Sequence, residues 1–390
     1  MFAIVNGQVV FPDRVASGKA VLVKGRTILG VVEASAIPDG AEIVDASGRY
    51  VTPGLLDIHI HGAEGVSFND ARRQSFATIA AACGSRGITT ILATTATATI
   101  ENLVASLATV REWQRDPGPG SQILGAHVEG PYFSQEQRGA QDPKHIRNPD
   151  DGTVDDLLAY RDVIRMLTFA PELPGAIELT ERLVSEGITA AMGHSSAIDS
   201  EVEEAVAAGA SHAIHLWSGQ SSTIRRGAWR KPGILEASLA SDVLTGEIIA
   251  DNKHLPPTLM KLAYKCLGPN RLCLVSDATS GAGLPEGSEF TMGQMSYVVE
   301  GGVGMMLDRS SFAGSTTLLN QMVSIAIEHA GVPIHEAVRM ASLTPATVVG
   351  LDDRKGSIAP GKDADLVIFE PDFTAQHVMI AGSWLDGISN

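Results

Sequence analysis

Apolar residues along this chain fall into two rhythms. Near both ends they come in short runs rich in Val and Ile, at residues 3–10, 20–24, 28–32 and 42–44 and again at 364–369 and 377–380. Asn6-Gly7, Lys24-Gly25, Asp39-Gly40 and Pro360-Gly361 punctuate them, so the runs read as strands joined by tight turns. Two β-rich ends flanking a different middle predict one small β-sandwich built from both termini, residues 1–52 plus 350–390.

From about residue 50 the rhythm alternates. Apolar runs at 55–60, 89–95, 123–129, 166–170, 189–194, 211–215, 247–251 and 272–277 are separated by Ala-, Leu- and Glu-rich stretches of helical spacing, such as 199–208 and 256–265. These are eight strand–helix units, about thirty residues apart, as a βα repeat requires. Eight such units close a parallel barrel, which predicts a (β/α)8 TIM barrel over residues 53–349. A doubly wound sheet is the alternative. It usually carries a G-x-G-x-x-G turn after its first strand, whereas this chain has His61-Gly62-Ala63-Glu64-Gly65.

Composition narrows the function classes. The 390 residues are 44% hydrophobic and carry 45 acidic against 29 basic side chains, a formal charge of −16. That balance excludes a nucleic-acid or anionic-membrane partner, which would need a basic face. The three cysteines, Cys83, Cys266 and Cys273, are odd in number and scattered, which fits free thiols in a reducing compartment. No apolar run reaches the roughly 18–20 residues of a membrane helix, and Met1–Arg14 lacks the pattern of a secretory leader. A cytoplasmic protein is expected.

The polar residues then single out one end of the barrel. His59 and His61 close the first run two residues apart, on one face of a strand. Glu129 ends the third run, His194 the fifth, His215 the sixth and Asp277 the eighth. Each alone reads as an ordinary hydrogen-bonded residue, and Asp277 as a helix cap. Together they would converge on the C-terminal mouth of the barrel, where the chemistry of this architecture resides. Imidazole with carboxylate suits a divalent ion, which lowers the pKa of bound water towards about 7. Asp277 is the candidate to take the water's proton and pass it to a leaving group, and hydrolysis at a carbonyl follows most directly. His127 is placed behind these ligands. His254, after the seventh run, also faces the mouth, while His145, His212, His329, His335 and His377 read as structural.

Those residues carry a resemblance. Pro53-Gly54-Leu55-Leu56-Asp57-Ile58-His59-Ile60-His61-Gly62 resembles the first-strand signature of the amidohydrolase superfamily. His127-Val128-Glu129-Gly130-Pro131, Gly193-His194-Ser195, His215-Leu216, Val275-Ser276-Asp277-Ala278 and Ala341-Ser342-Leu343-Thr344-Pro345-Ala346 follow in the order of its N-acetylglucosamine-6-phosphate deacetylases, over residues 6–382. Glu in the third-strand slot, where many relatives have a modified lysine, makes the match specific. The resemblance implies that Glu129, His194 and His215 bind a principal metal, with His59 and His61 allowing a second bridged through Glu129. One or two ions per subunit follow, Zn first, with Fe, Co, Mn or Ni compatible. Asp277 becomes base and then acid. Substrate contacts would come from Ala140, Gln141, Ser218, Gly219, Asp251, His254, Phe312, Ala313, Gly314 and Ser315. Arg230 would reach from a partner subunit to the phosphate, implying a homodimer.

The chain also departs from that pattern. His215-Leu216-Trp217-Ser218-Gly219-Gln220 replaces the usual His-Leu-aromatic-Asn-Ala-Met, and the following loop with Arg225, Arg226, Arg230 and Lys231 is longer. Gln141 stands where some members have a histidine that polarises the acetyl carbonyl. The expected reaction is deacetylation of an N-acetylhexosamine 6-phosphate. The alternatives are hydrolysis of another small amide or an unphosphorylated acyl-amino sugar, and a non-catalytic barrel scaffold, which would have lost ligands.

Overall fold

The computed structural model describes residues 1–385, and residues 386–390, the last of the expected terminal β-unit, lie outside the described residues. Its centre is an eight-stranded parallel sheet in chain order: Leu55–Ile60, Ile88–Thr95, Gln122–Glu129, Ile164–Phe169, Thr189–Met192, His212–Ala213, Thr245–Ile249 and Leu272–Val275. The eighth strand returns to the first through a parallel bridge between Ile60 and Ala278, and Asp277 N donates to His59 O at 2.8 Å. The barrel is closed. Every residue of strands 1, 2 and 8 is buried, as expected when helices cover one face and the packed interior the other. The covering helices are amphipathic. Ala176–Ser185 buries Ala176, Leu179, Thr180 and Leu183, a stripe at helical spacing that lies on the barrel.

Three strands end earlier than the apolar runs suggest. Strands 5, 6 and 8 stop at Met192, Ala213 and Val275, two residues before His194, His215 and Asp277. His194 and Asp277 have φ of 46° and 45°, which extended backbone cannot accommodate. The polar side chains therefore sit on the first loop residues rather than on the strands.

Two elements went unpredicted. An antiparallel sheet of four strands, Glu289–Met292, Met295–Glu300, Val303–Met306 and Phe312–Ser315, follows strand 8. It buries Phe290, Tyr297, Val299 and Ala313 around Ala96, and Tyr297 Oη donates to Ala140 O at 2.8 Å, so the sheet braces one side of the mouth. A two-stranded hairpin, Ile224–Arg226 with Trp229–Lys231, occupies the long loop after strand 6, and all six residues are exposed.

The ends of the chain form two further sheets. One orders Thr27–Glu33, Lys19–Lys24, Phe2–Val5 and Glu42–Asp45; the other runs Ser383–Trp384, Ala375–Ile380, Leu366–Phe369, Tyr50–Pro53, Gln8–Val10 and Val15–Ala16. Both contribute to one buried cluster that includes Ile4, Val21, Val23, Val51, Leu366, Ile368 and Met379. A buried polar knot ties this unit to the barrel. Lys355 Nζ reaches Asp365 at 2.5 Å and Asp363 at 2.9 Å, and Asp365 Oδ1 accepts from Gln122 Nε2 of strand 3 at 3.1 Å. Among the described residues no helix is long and apolar enough to cross a membrane.

Candidate metal centre and active site

Glu129, at the C-terminal end of strand 3, is the hub of the barrel mouth. Its Oε1 lies 3.2 Å from His194 Nε2, 3.1 Å from His215 Nε2 and 3.4 Å from His59 Nε2, while Oε2 lies 3.4 Å from His61 Nε2. Two overlapping groups share it, His59–His61–Glu129 and Glu129–His194–His215, each with its ligand atoms within 4.8 Å. The side chains come from strand 1 and the residue just after it, strand 3 and the loops after strands 5 and 6, and all are buried.

The donor set fits a divalent ion. Nitrogen or oxygen ligands about 2.0–2.1 Å from a tetrahedral zinc lie roughly 3.3–3.4 Å apart, close to the spacings around Glu129 Oε1. Tautomers agree. His194 Nδ1 meets Gln137 O at 2.8 Å and His59 Nδ1 meets Glu247 Oε2 at 2.9 Å, so each donates there and turns a bare Nε2 to the site. His59 Nε2 is buried without a hydrogen-bond partner, an orphan that a cation would satisfy. Burial works against charge on Glu129, yet the surrounding rings of His194, His215 and His59 hold its carboxyl well below the usual range. The mouth concentrates negative charge among imidazoles, an environment that favours a cation.

Asp277 faces the same space. Its Oδ1 is 3.2 Å from His61 Nε2 and 3.6 Å from His59 Nε2. Burial opposes its ionisation, but the contact with His61 and the field of the neighbouring imidazoles lower its pKa, leaving a carboxylate able to accept a proton. Four non-glycine residues with positive φ, His194 (46°), Trp217 (75°), Asn252 (59°) and Asp277 (45°), lie on the loops that form this mouth. Such conformations cost about 1–3 kcal/mol each and persist where the surroundings fix them, commonly at functional sites.

Above these groups opens a cavity of about 310 Å³. Its walls include Ala140, Gln141, Ser218, Gly219, His254, Phe312, Ala313 and Gly314, all singled out in the sequence. Two glycines are sterically required. A Cβ on Gly219 would stand 2.6 Å from His194 Nδ1, and one on Gly314 2.5 Å from Asp277 O. Two expected contact residues lie elsewhere. Asp251 stands behind His254, holding its Nδ1 at 2.7 Å, and Ser315 turns its hydroxyl to Ser276 O. Arg230, expected to reach the cavity of a partner subunit, is exposed on the hairpin. Among the described residues no lysine or arginine lines the cavity.

Sequence reasoning missed the layer beneath the ligands. Glu247, fully buried in strand 7, accepts from His59 Nδ1, contacts His212 Nε2 at 3.0 Å and takes His215 N at 3.3 Å. His212 Nδ1 in turn reaches Thr245 Oγ1 at 2.7 Å. The signal was present: Thr245-Gly246-Glu247-Ile248-Ile249 places a carboxylate inside an otherwise buried strand, where it needs a partner. Asp57, two residues before His59, takes His59 N at 3.2 Å and Ser276 N at 3.3 Å, and burial pushes its carboxyl up to about 7 against those hydrogen bonds. His127 lies beside His59, ring centroids 4.6 Å apart, with Nε2 on Thr168 Oγ1 at 2.7 Å.

Comparison with known proteins bears on the whole arrangement. Residues 50–385 match the model of the amidohydrolase family. The chain is 33% identical to an N-acetylglucosamine-6-phosphate deacetylase of Haemophilus influenzae, covering 98% of this chain and 99% of that protein. It is 34% identical to one of Vibrio furnissii, over 90% of this chain and 88% of the relative. The crystal structure of N-acetylglucosamine-6-phosphate deacetylase from Pasteurella multocida superposes with a TM-score of 0.92 at 30% identity, covering 98% of this chain and 99% of that one.

Proposed function

The chain belongs to the amidohydrolase family, and from that premise we propose that it hydrolyses the acetyl amide of an N-acetylhexosamine 6-phosphate, N-acetylglucosamine 6-phosphate foremost, releasing acetate and the amino sugar. The observation that carries this reading is the pair of metal-capable groups sharing Glu129 on the floor of a small cavity, with Asp277 alongside. A volume of about 310 Å³ suits one sugar ring with its substituents.

A divalent ion held by Glu129, His194 and His215, zinc first among the candidates, would supply Lewis acidity towards the acyl oxygen and acidify water at neutral pH. His59 and His61 would hold a second ion through Glu129. Asp277 takes the proton of the attacking water as the new C–O bond forms and then delivers it to the departing nitrogen as the amide C–N bond breaks. The main chain around Ser218–Gly219 and Ala313–Gly314 walls in the acyl-amino group, and the Asp251-oriented ring of His254 meets the far end of the substrate. With no fixed cation in the cavity lining, a phosphate would find its positive partner on another copy. The exposed Arg230 hairpin is suited to cross into a partner's mouth, giving a homodimer. We place the enzyme in the cytoplasm and treat residues 1–52 with 350–390 as a β-unit distinct from the barrel at 53–349.

The test is acetate release from N-acetylhexosamine 6-phosphates by protein of defined metal content. Zinc-loaded protein inert on every one of them overturns the substrate assignment. The lack of a cation in the cavity lining supports a second reading, an unphosphorylated acyl-amino sugar; rates on substrate pairs with and without the 6-phosphate separate the two.

A further inference from the structure

Gln141 occupies a position with two demands on it. Its Oε1 accepts the backbone N–H of Thr97, just beyond strand 2, at 2.8 Å, and its Nε2 donates to Glu129 Oε2 at 2.5 Å. The first bond decides the second. Because Thr97 N can only donate, the amide oxygen must face it, which turns the NH₂ group onto the carboxylate and forbids the flipped amide. The side chain is buried, with 6% of its surface exposed. Its remaining N–H is the only polar group it can offer the cavity.

The two oxygens of Glu129 therefore stand in different surroundings. Oε1 faces His194 and His215, with His59 Nε2 at 3.4 Å and no amide donor on it, whereas Oε2, the oxygen beside His61, already holds the Gln141 N–H. A hydrogen bond takes one lone pair of Oε2 and draws electron density from it, so Oε2 is the poorer ligand. It also stops the carboxylate from rotating, which keeps Oε1 aimed at the His194–His215 pair.

We propose that Gln141 is a positioning residue that ranks the two metal sites: it fixes Glu129 for the ion held with His194 and His215 and makes the His59–His61 site the weaker one. This rests on the metal reading above. It assigns the amide a task at the metal centre rather than at the acyl oxygen, although its position in the chain is one from which a side chain reaches the cavity.

The experiment is zinc titration of metal-free, full-length protein against a chromophoric chelator, for wild type, Gln141→Met, which keeps the shape without the donor, and Gln141→Asn, which keeps the amide but falls one methylene short. Circular dichroism establishes that each variant is folded. Wild type is expected to bind two ions in resolved steps at least tenfold apart. In both variants the tighter step weakens by about 10–100-fold, the range typical for loss of a partner to a ligand, and the steps draw together. Unchanged zinc steps with a raised KM would make Gln141 a substrate contact and overturn the inference, as would unresolved steps in wild type. If either variant fails to fold, the other decides. Wild type that takes up no zinc refutes the metal reading itself, whereas resolved wild-type steps that both variants share refute only the ranking by Gln141.

Discussion

Replacing Glu247 isolates the contribution of the layer beneath the ligands. Its carboxylate lies in strand 7 with no exposed surface and satisfies three donors or rings: His59 Nδ1 at 2.9 Å, His212 Nε2 at 3.0 Å and His215 N at 3.3 Å. The carboxylate can only accept, so His212 faces it through Nε2–H, and His212 Nδ1 meets Thr245 Oγ1 at 2.7 Å. Leucine at 247 would strand the His59 and His215 N–H groups and His212 Nε2 in the barrel interior. Each buried orphan costs about 1–3 kcal/mol, so Glu247→Leu is expected to lose roughly 3–9 kcal/mol, a large share of the about 5–15 kcal/mol that stabilises a typical domain. Glutamine behaves differently. Its oxygen accepts from His59, and its NH₂ donates to His212 Nε2 once that ring carries its proton on Nδ1 towards Thr245 Oγ1, keeping both rings in place without the charge. Glu247→Gln should therefore stay within about 1 kcal/mol of wild type while zinc affinity falls about 10-fold, because His59 loses its anionic partner. Urea unfolding of metal-free protein measures the first quantity and chelator competition the second. A Glu247→Leu protein as stable as wild type, with unaltered zinc affinity, would refute the reasoning.

Other perturbations separate the roles at the mouth. Asp277→Asn leaves Glu129, His194 and His215 untouched, so it should retain zinc by elemental analysis while kcat drops about 10²–10⁴-fold; Glu129→Ala should lose the metal itself, and turnover retained by Asp277→Asn would remove the acid–base assignment. Arg230→Ala is expected to raise KM for the phosphorylated substrate and leave an unphosphorylated analogue unaffected, as steady-state kinetics would show. For pH, burial tends to raise the Asp363 carboxyl, but Lys355 and Arg354 outweigh it and hold the group below its usual range. A lowered folded-state pKa contributes stability that is full above the unfolded value of about 3.9 and disappears as pH falls through the folded value. Acid unfolding followed by tryptophan fluorescence should therefore be less steep below about pH 4 in Asp363→Asn, and an identical profile would discount the ion pair.

The barrel and the six principal polar residues at its mouth were legible because both depend on local pattern. Alternating apolar runs mark parallel strands, and polar residues at the ends of those runs converge once the sheet closes. What was not legible required contacts across the barrel. His212 reads in sequence as a structural histidine and Glu247 as part of an apolar run; only closure brings them to His59. The sheet of Glu289–Met292 through Phe312–Ser315 was hidden inside a long connection, although Met292-Gly293 and Glu300-Gly301-Gly302 mark its turns. Asp251 and Ser315 follow strand-end motifs correctly, yet each is turned away by a stronger local partner, His254 Nδ1 and Ser276 O.

The terminal β-unit has a consequence for how the chain must be made. Strand Tyr50–Pro53 pairs on one side with Gln8–Val10 and on the other with Leu366–Phe369. Synthesis delivers the first two of these long before the third. At about 5–20 residues per second, the ribosome adds the intervening three hundred or so residues in roughly 15–60 s. Throughout that interval one edge of Tyr50–Pro53 has no neighbour, while the barrel assembles between the two halves of the sheet. Completion of this sheet therefore cannot precede synthesis of Leu366–Phe369, and until then its open edge is available for pairing with a neighbouring copy.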